Sequence, residues 1–171
     1  MKLINITLIS IFIFLTGCST TTLVKTQNNI PKLNYDTNST SKVENMSLTL
    51  FRLSNYTDTP RAGMRASNIL EGILQTKGFD VSSHIQMKLP TKKEARDIAL
   101  KDGSQYYIYG GVSEWRYKTG IDGEPAVSLV CSLYETNTSL LIWSATGADS
   151  DWGNGSIGIV AQDLLEKMLQ D

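Results

Sequence analysis

Three strand-like runs follow one another in the second half of the chain: QYYIYGGVSEWRYKT, AVSLVCSLYET and SLLIWSAT, separated only by the GIDGEP loop and the TNT turn. Connections this short cannot carry a chain across the face of a sheet, so neighbouring runs pair antiparallel. In the middle run Val127, Leu129, Cys131 and Leu133 alternate with smaller or polar residues, which marks one face as core.

Helical and strand patterns alternate on either side of this meander. In MSLTLFRLSNYT, residues Met46, Leu48 and Leu50 alternate as a strand does. Thr59 and Pro60 suit the cap and first position of a helix. Its apolar stripe is Ala66, Ile69, Leu70, Ile73 and Leu74, and Gly78 ends it. A strand is expected near Phe79–Ile85, then a helix in TKKEARDIALKDG with a Thr91–Glu94 capping box and Gly103 at its end. At the C-terminus Ile157, Val160, Ala161, Leu164, Leu165 and Met168 share one helical face. The expected order is β-α-β-α-β-β-β-α. The fold class is α/β (α+β), with a mixed or mostly antiparallel sheet flanked by helices.

The N-terminal region has a different character. Lys2 precedes the apolar run LINITLISIFIFL, too short to span a bilayer comfortably and suited to a secretory signal. The run ends in LTGC, Leu15–Cys18, the pattern of a bacterial lipoprotein cleavage box. Residues 1–17 therefore read as a signal peptide and Cys18 as the lipidated residue. Several acyl chains at ~0.8 kcal/mol per buried methylene hold such a protein on a membrane. Ser19, where an aspartate would redirect sorting, favours the outer membrane. Residues 18–45, rich in Thr, Asn and Ser without periodicity, read as the lipidated N-terminus and a tether, with 46–171 as a single domain.

Charge and cysteine content narrow the function. Removing Lys2 from 16 basic residues leaves 15 against 17 acidic, or −2 for the mature side chains, so no basic excess exists to bind nucleic acid. Cys131 is the only other cysteine besides Cys18 and reads as an inert core thiol. The single histidine, His84, reads as a surface or edge residue without metal-ligating companions. The NGSIG segment before the last helix is either a generic anion site or an ordinary helix-entry turn. Asp122 and Glu124, two residues apart on one turn, have nothing to separate their pKa values as an acid–base pair requires. The reading is a protein that is not an enzyme, with no metal and no cofactor.

The stretch GGVSEWRYKTGIDGEPAVSL, followed by LIWSATGADSDWG and an amphipathic last helix, resembles the PelC family of outer-membrane lipoproteins. The resemblance is strong from about Gln105 onward and rests mainly on element order from Met46 to Lys101. It implies a fold like the N-terminal domain of TolB and the CsgG secretion lipoprotein. It also implies a ring, a dodecamer, at the periplasmic face of the outer membrane beneath the export porin of the Pel exopolysaccharide system. The implied partners are further copies of itself, that porin, outer-membrane lipid and a cationic, partly deacetylated amino-sugar polymer.

Four site expectations follow, the first three from the resemblance and the last from the aromatic and Arg enrichment of the strand. Asp122, matching the acid of the family's DGEP motif, would face the lumen and guide the polymer, whereas spacing alone favours a turn residue. Glu124 would add to the same field or support the turn. Trp152 of DWGNG would face the membrane, against the alternative of a loop tryptophan capping the sheet. Arg116 and Glu114 would lie at a subunit interface or on a solvated strand face. A monomeric periplasmic binding or activator lipoprotein similar to LpoB, acting on a cell-wall synthase, is the alternative function.

Overall fold

The computed structural model describes residues 21–25, 46–117, 123–152 and 155–170. Strands β1 (Thr22–Lys25), β2 (Ser47–Phe51), β3 (Ser54–Asn55), β4 (Asp80–His84), β5 (Tyr106–Arg116), β6 (Ala126–Glu135) and β7 (Leu141–Ser150) form one sheet. Three helices accompany it: α1 (Ala62–Thr76), α2 (Lys92–Asp102) and α3 (Ile157–Met168). The strand order is β1-β7-β6-β5-β2-β4, with β3 paired to β5 beside β2.

The expected α/β class with a mixed sheet is the observed one. Beta5, β6 and β7 form the antiparallel meander, in register from Tyr106 opposite Glu135 to Ala126 opposite Ser150. The other half is parallel, because β2–α1–β4 and β4–α2–β5 are crossovers that return the chain to the same end. Crossovers of this kind are right-handed. The first steps outward from β2 to β4 and the second steps back past β2 to β5, so α1 and α2 lie on opposite faces.

The inner face carries the main core. Leu48, Leu50, Ile108, Val112, Leu129 and Leu133 pack against α1 through Ala66, Leu70 and Leu74, and against α3 through Ala161, Leu164 and Leu165. On the outer face α2 covers only the β2–β5 half, setting Ala95 and Ala99 on Phe51 and Tyr107. Tyr134 extends this cluster by stacking on Tyr107 with centroids 5.2 Å apart.

Two differences from the sequence expectation have clear causes. Thr59 and Pro60 do not open α1. Arg61, left-handed at φ 63°, precedes its first residue, Ala62. The Thr59 hydroxyl donates instead to the Trp115 carbonyl at 2.7 Å, tying the helix entry to β5. The end of α1 is as expected. Gly78, at φ 84°, lets its own N–H reach the Gln75 carbonyl and that of Phe79 reach Leu74.

The second difference is β1, which lies inside the segment read as a tether. It pairs antiparallel with β7, Thr22 opposite Ala148 and Lys25 opposite Ala145. Its side chains fasten it further. The Lys25 ammonium donates to the carbonyls of Lys167 and Gln170 at the end of α3, where a cation complements the helix dipole. The Thr21 hydroxyl donates to Asp149 at 2.9 Å.

Candidate functional site at one end of the sheet

Strand directions decide which sequence features meet. Beta5 ends at Arg116 and β6 begins at Ala126, opposite Ser150 at the end of β7. Beta1 begins at Thr22, opposite Ala148. The β5–β6 connection, the β7–α3 connection with Trp152, and the entry of the chain into β1 therefore share one end of the sheet. A backbone bond from the Asp151 N–H to the Pro125 carbonyl, 3.2 Å, joins the first two.

The approach to this end is re-aimed by a β-bulge between Val112 and Glu114. Beyond it Trp115 turns into the core while Glu114 and Arg116 stand on the outer face. The indole Nε1 of Trp115 is buried without a hydrogen-bond partner among the described residues. Arg116 lies between two acids: its Nε is 3.4 Å from Glu114 Oε1 and its Nη2 3.8 Å from Glu124 Oε1. Two carboxylates sharing one guanidinium leave the trio at a net charge of −1. The exposed Arg116–Glu114 pair contributes little stability, ~0–1 kcal/mol, so its importance is positional.

Glu124 is tucked inward, its Oε2 buried without a hydrogen-bond partner among the described residues. That placement suits support of the turn more than open display of charge. Asp122 lies outside the described residues, as does Cys18. Arg116 and Glu114 pair with each other within the chain, on a strand face that is part-exposed.

Trp152 is 61% exposed, and Ile159 of α3 is also well exposed. The two acids near Trp152 in sequence are engaged by other groups. Asp149 is buried, 2.8 Å from the Lys167 ammonium. Asp151 turns a carboxylate oxygen to the Gly155 N–H at 3.0 Å. Ser156 then caps α3 by accepting from the Ile159 N–H, so the helix N-terminus is satisfied by its own chain.

Two clusters escaped the sequence reading. His84, on the edge strand β4, contacts Asp102 at 2.8 Å, and Asp102 also accepts from the Thr49 hydroxyl at 2.8 Å. Thr49 lies 2.9 Å from Ser104 as well. The bonded partners stand 18 to 55 positions apart, and the parallel pairing of β2 with both β4 and β5 brings them together. The second cluster gathers the β3–α1 connection against β5. The Tyr56 N–H donates to the Val112 carbonyl at 2.9 Å, and the Arg65 guanidinium sits 5.7 Å from the Tyr117 ring centre.

Among the described residues no group of three or more His, Cys, Asp and Glu converges as a metal site. An apolar cavity between the sheet and the ends of α1 and α3, lined by Leu48, Leu74, Phe79, Trp143 and Leu169 among others, measures about 30 Å³. That volume suits a single water-sized group and not an organic cofactor. Cys131 is fully buried, and desolvation pushes its thiol up to about 12.

No protein-family model matches the chain, and no curated protein does. Solved structures do. The chain is similar to the PelC dodecamer from Paraburkholderia phytofirmans, with TM-score 0.71 and 29% identity over 88% of this chain and 96% of that one. A substituted variant of that dodecamer in another space group gives 0.71 and 30% over the same shares. Lipoprotein GNA1162 from Neisseria meningitidis has the same fold at TM-score 0.52 and 16% identity, over 71% of this chain and 96% of that one. The likeness to PelC spans the crossover half as well as the meander that carries EWRYKTGIDGEP, and by it this chain belongs to the PelC family.

Proposed function

We propose that this chain is a non-enzymatic lipoprotein of a Pel exopolysaccharide system. It closes into a ring on the periplasmic side of the outer membrane, beneath an export porin, and guides a cationic polymer through the ring. The observation that carries this reading is the convergence at one end of the sheet. The described ends of the β5–β6 connection, the exposed Trp152 and the start of β1 all lie there, and in sequence Asp122 falls within that connection and Cys18 shortly before β1. A lipid on Cys18 and an indole at the bilayer interface then press the same end of the molecule toward the membrane. The acidic connection is brought to that level with them.

A ring turns one modest carboxylate into a collar. Charges on neighbouring subunits reinforce one another where they lie within a Debye length of ~8 Å, and a confined passage focuses the field. Each Asp122 adds to a local set whose Glu114, Arg116 and Glu124 already carry a net negative charge. Many weak contacts of this kind attract a polycation without arresting it. The assembly of the solved PelC relatives as dodecamers supports the ring.

The test uses the full lipidated chain extracted in detergent. Native mass spectrometry or electron microscopy is expected to show a closed ring, and a strict monomer at high concentration overturns it. Asp122→Lys is expected to cut polymer export severalfold while the ring persists; unchanged export overturns the collar.

A further inference from the structure

Tyr56 is 75% exposed, yet it is not a loose side chain. Its N–H is bonded to β5, and the turn it begins is pinned by Asn55. The Asn55 side-chain oxygen accepts from the N–H and hydroxyl of Thr57, and its Nδ2 donates to the Thr59 carbonyl. The ring lies against Gly111 in β5. A Cβ built on Gly111 would stand 2.6 Å from Tyr56 Cε2, so the ring occupies the volume any side chain there would need. Glycine inside a strand weakens it and marks a close approach. Covering the glycine explains where the Cδ2–Cε2 edge of the ring rests but leaves most of the residue in water.

Farther along the same outer face of β5, the Ser113 and Ser128 hydroxyls pair at 3.0 Å. Past the bulge stand Glu114 and Arg116 with their net negative trio. A rigid aromatic face, a hydroxyl pair and an excess carboxylate thus follow in a row. An aromatic face packs against the C–H face of a pyranose ring, and its quadrupole together with a nearby carboxylate favours an ammonium group.

We propose that Tyr56, seated on Gly111 and flanked by Ser113, Ser128 and Glu114, is a stacking subsite for one cationic amino-sugar residue. The platform is already in place, so little side-chain freedom is lost on binding. This deepens the function proposed above and rests on its reading of an amino-sugar polymer as cargo.

The full chain in detergent is titrated calorimetrically with a glucosamine oligomer, its N-acetylated counterpart and a neutral glucose oligomer. The glucosamine oligomer is expected to bind most tightly. Tyr56→Ala is expected to weaken it about threefold to tenfold, the loss of one aromatic contact. Tyr56→Trp should retain binding, and Gly111→Ala, which displaces the ring, should lose it. Glu114→Gln should weaken the glucosamine oligomer but not the N-acetylated one. A thermal midpoint unchanged in Tyr56→Ala alongside the loss of binding separates recognition from a structural role. Equal binding by Tyr56→Ala and wild type, or no binding of any oligomer by wild type, overturns the subsite. Native mass spectra of the same samples test the ring separately: a ring that binds no oligomer sinks only the subsite.

Discussion

Cys131 stands opposite Gly110 on β5 and Ala145 on β7, sealed beneath α1 and α3. Desolvation raises its thiol from 9.0 to about 12, so the folded protein holds the proton more tightly than the unfolded chain. The linkage sign follows: the stability it contributes is present below pH 9 and is lost as pH rises from 9 toward 12. Maleimide labelling at pH 8 should be negligible in the native protein and track urea unfolding; fast native labelling would contradict this burial. This residue was legible from its place in an alternating run. Glu124 was not, because whether a loop acid is displayed or tucked depends on Arg116 reaching across from another strand. Tyr56 gave no signal at all. An exposed tyrosine is unremarkable until the sheet sets a glycine under it.

The beginnings and ends of elements show where local chemistry suffices. Alpha2 opens with the expected capping box: Thr91 accepts from the Glu94 N–H while the Glu94 carboxylate accepts from the Thr91 N–H and hydroxyl. Those bonds, first the one from the Thr91 backbone, hold the Glu94 pKa below its ordinary 4.5. A lowered folded pKa means stability present above the ordinary glutamate range and lost as pH falls through the folded value. Glu94→Gln, which removes the titrating carboxylate, should therefore reduce the loss of stability between pH 5 and pH 3, measured by urea midpoints; an identical acid profile would contradict this role of Glu94. Alpha1 shows the opposite situation. Thr59 and Pro60 carry a proper start signal, but the Trp115 carbonyl claims the Thr59 hydroxyl and the helix begins later. Beta1 was invisible for a different reason. Four residues in a Thr- and Asn-rich tract carry no period, and only the open edge of β7 makes them a strand.

At the level of the whole molecule, the meander was legible because short connections leave antiparallel neighbours as the one solution. The order β5-β2-β4 was not, since two crossovers of one hand admit several placements of a strand. The candidate site follows from that topology more than from any motif, because it is the shared end of β1, β5, β6 and β7. The proposed membrane contact is testable without polymer. Trp152→Ala in the unlipidated chain should lower flotation with vesicles severalfold, and more steeply for a ring than for a monomer, because each copy adds a contact. Equal flotation of the variant and the parent would remove Trp152 as an anchor.

Because β1 begins at Thr22, a lipid on Cys18 would leave only a short mooring line. With the acyl chains on Cys18, as proposed, four residue steps separate them from the first paired strand residue, a reach of at most about 14 Å. The domain could not swing on a long leash above the bilayer; it would ride close to the lipid with its β1 corner pinned and each copy held at one tilt. Lengthening the line by a dozen Gly and Ser residues just before Thr22 should leave the fold intact and let that alignment go slack.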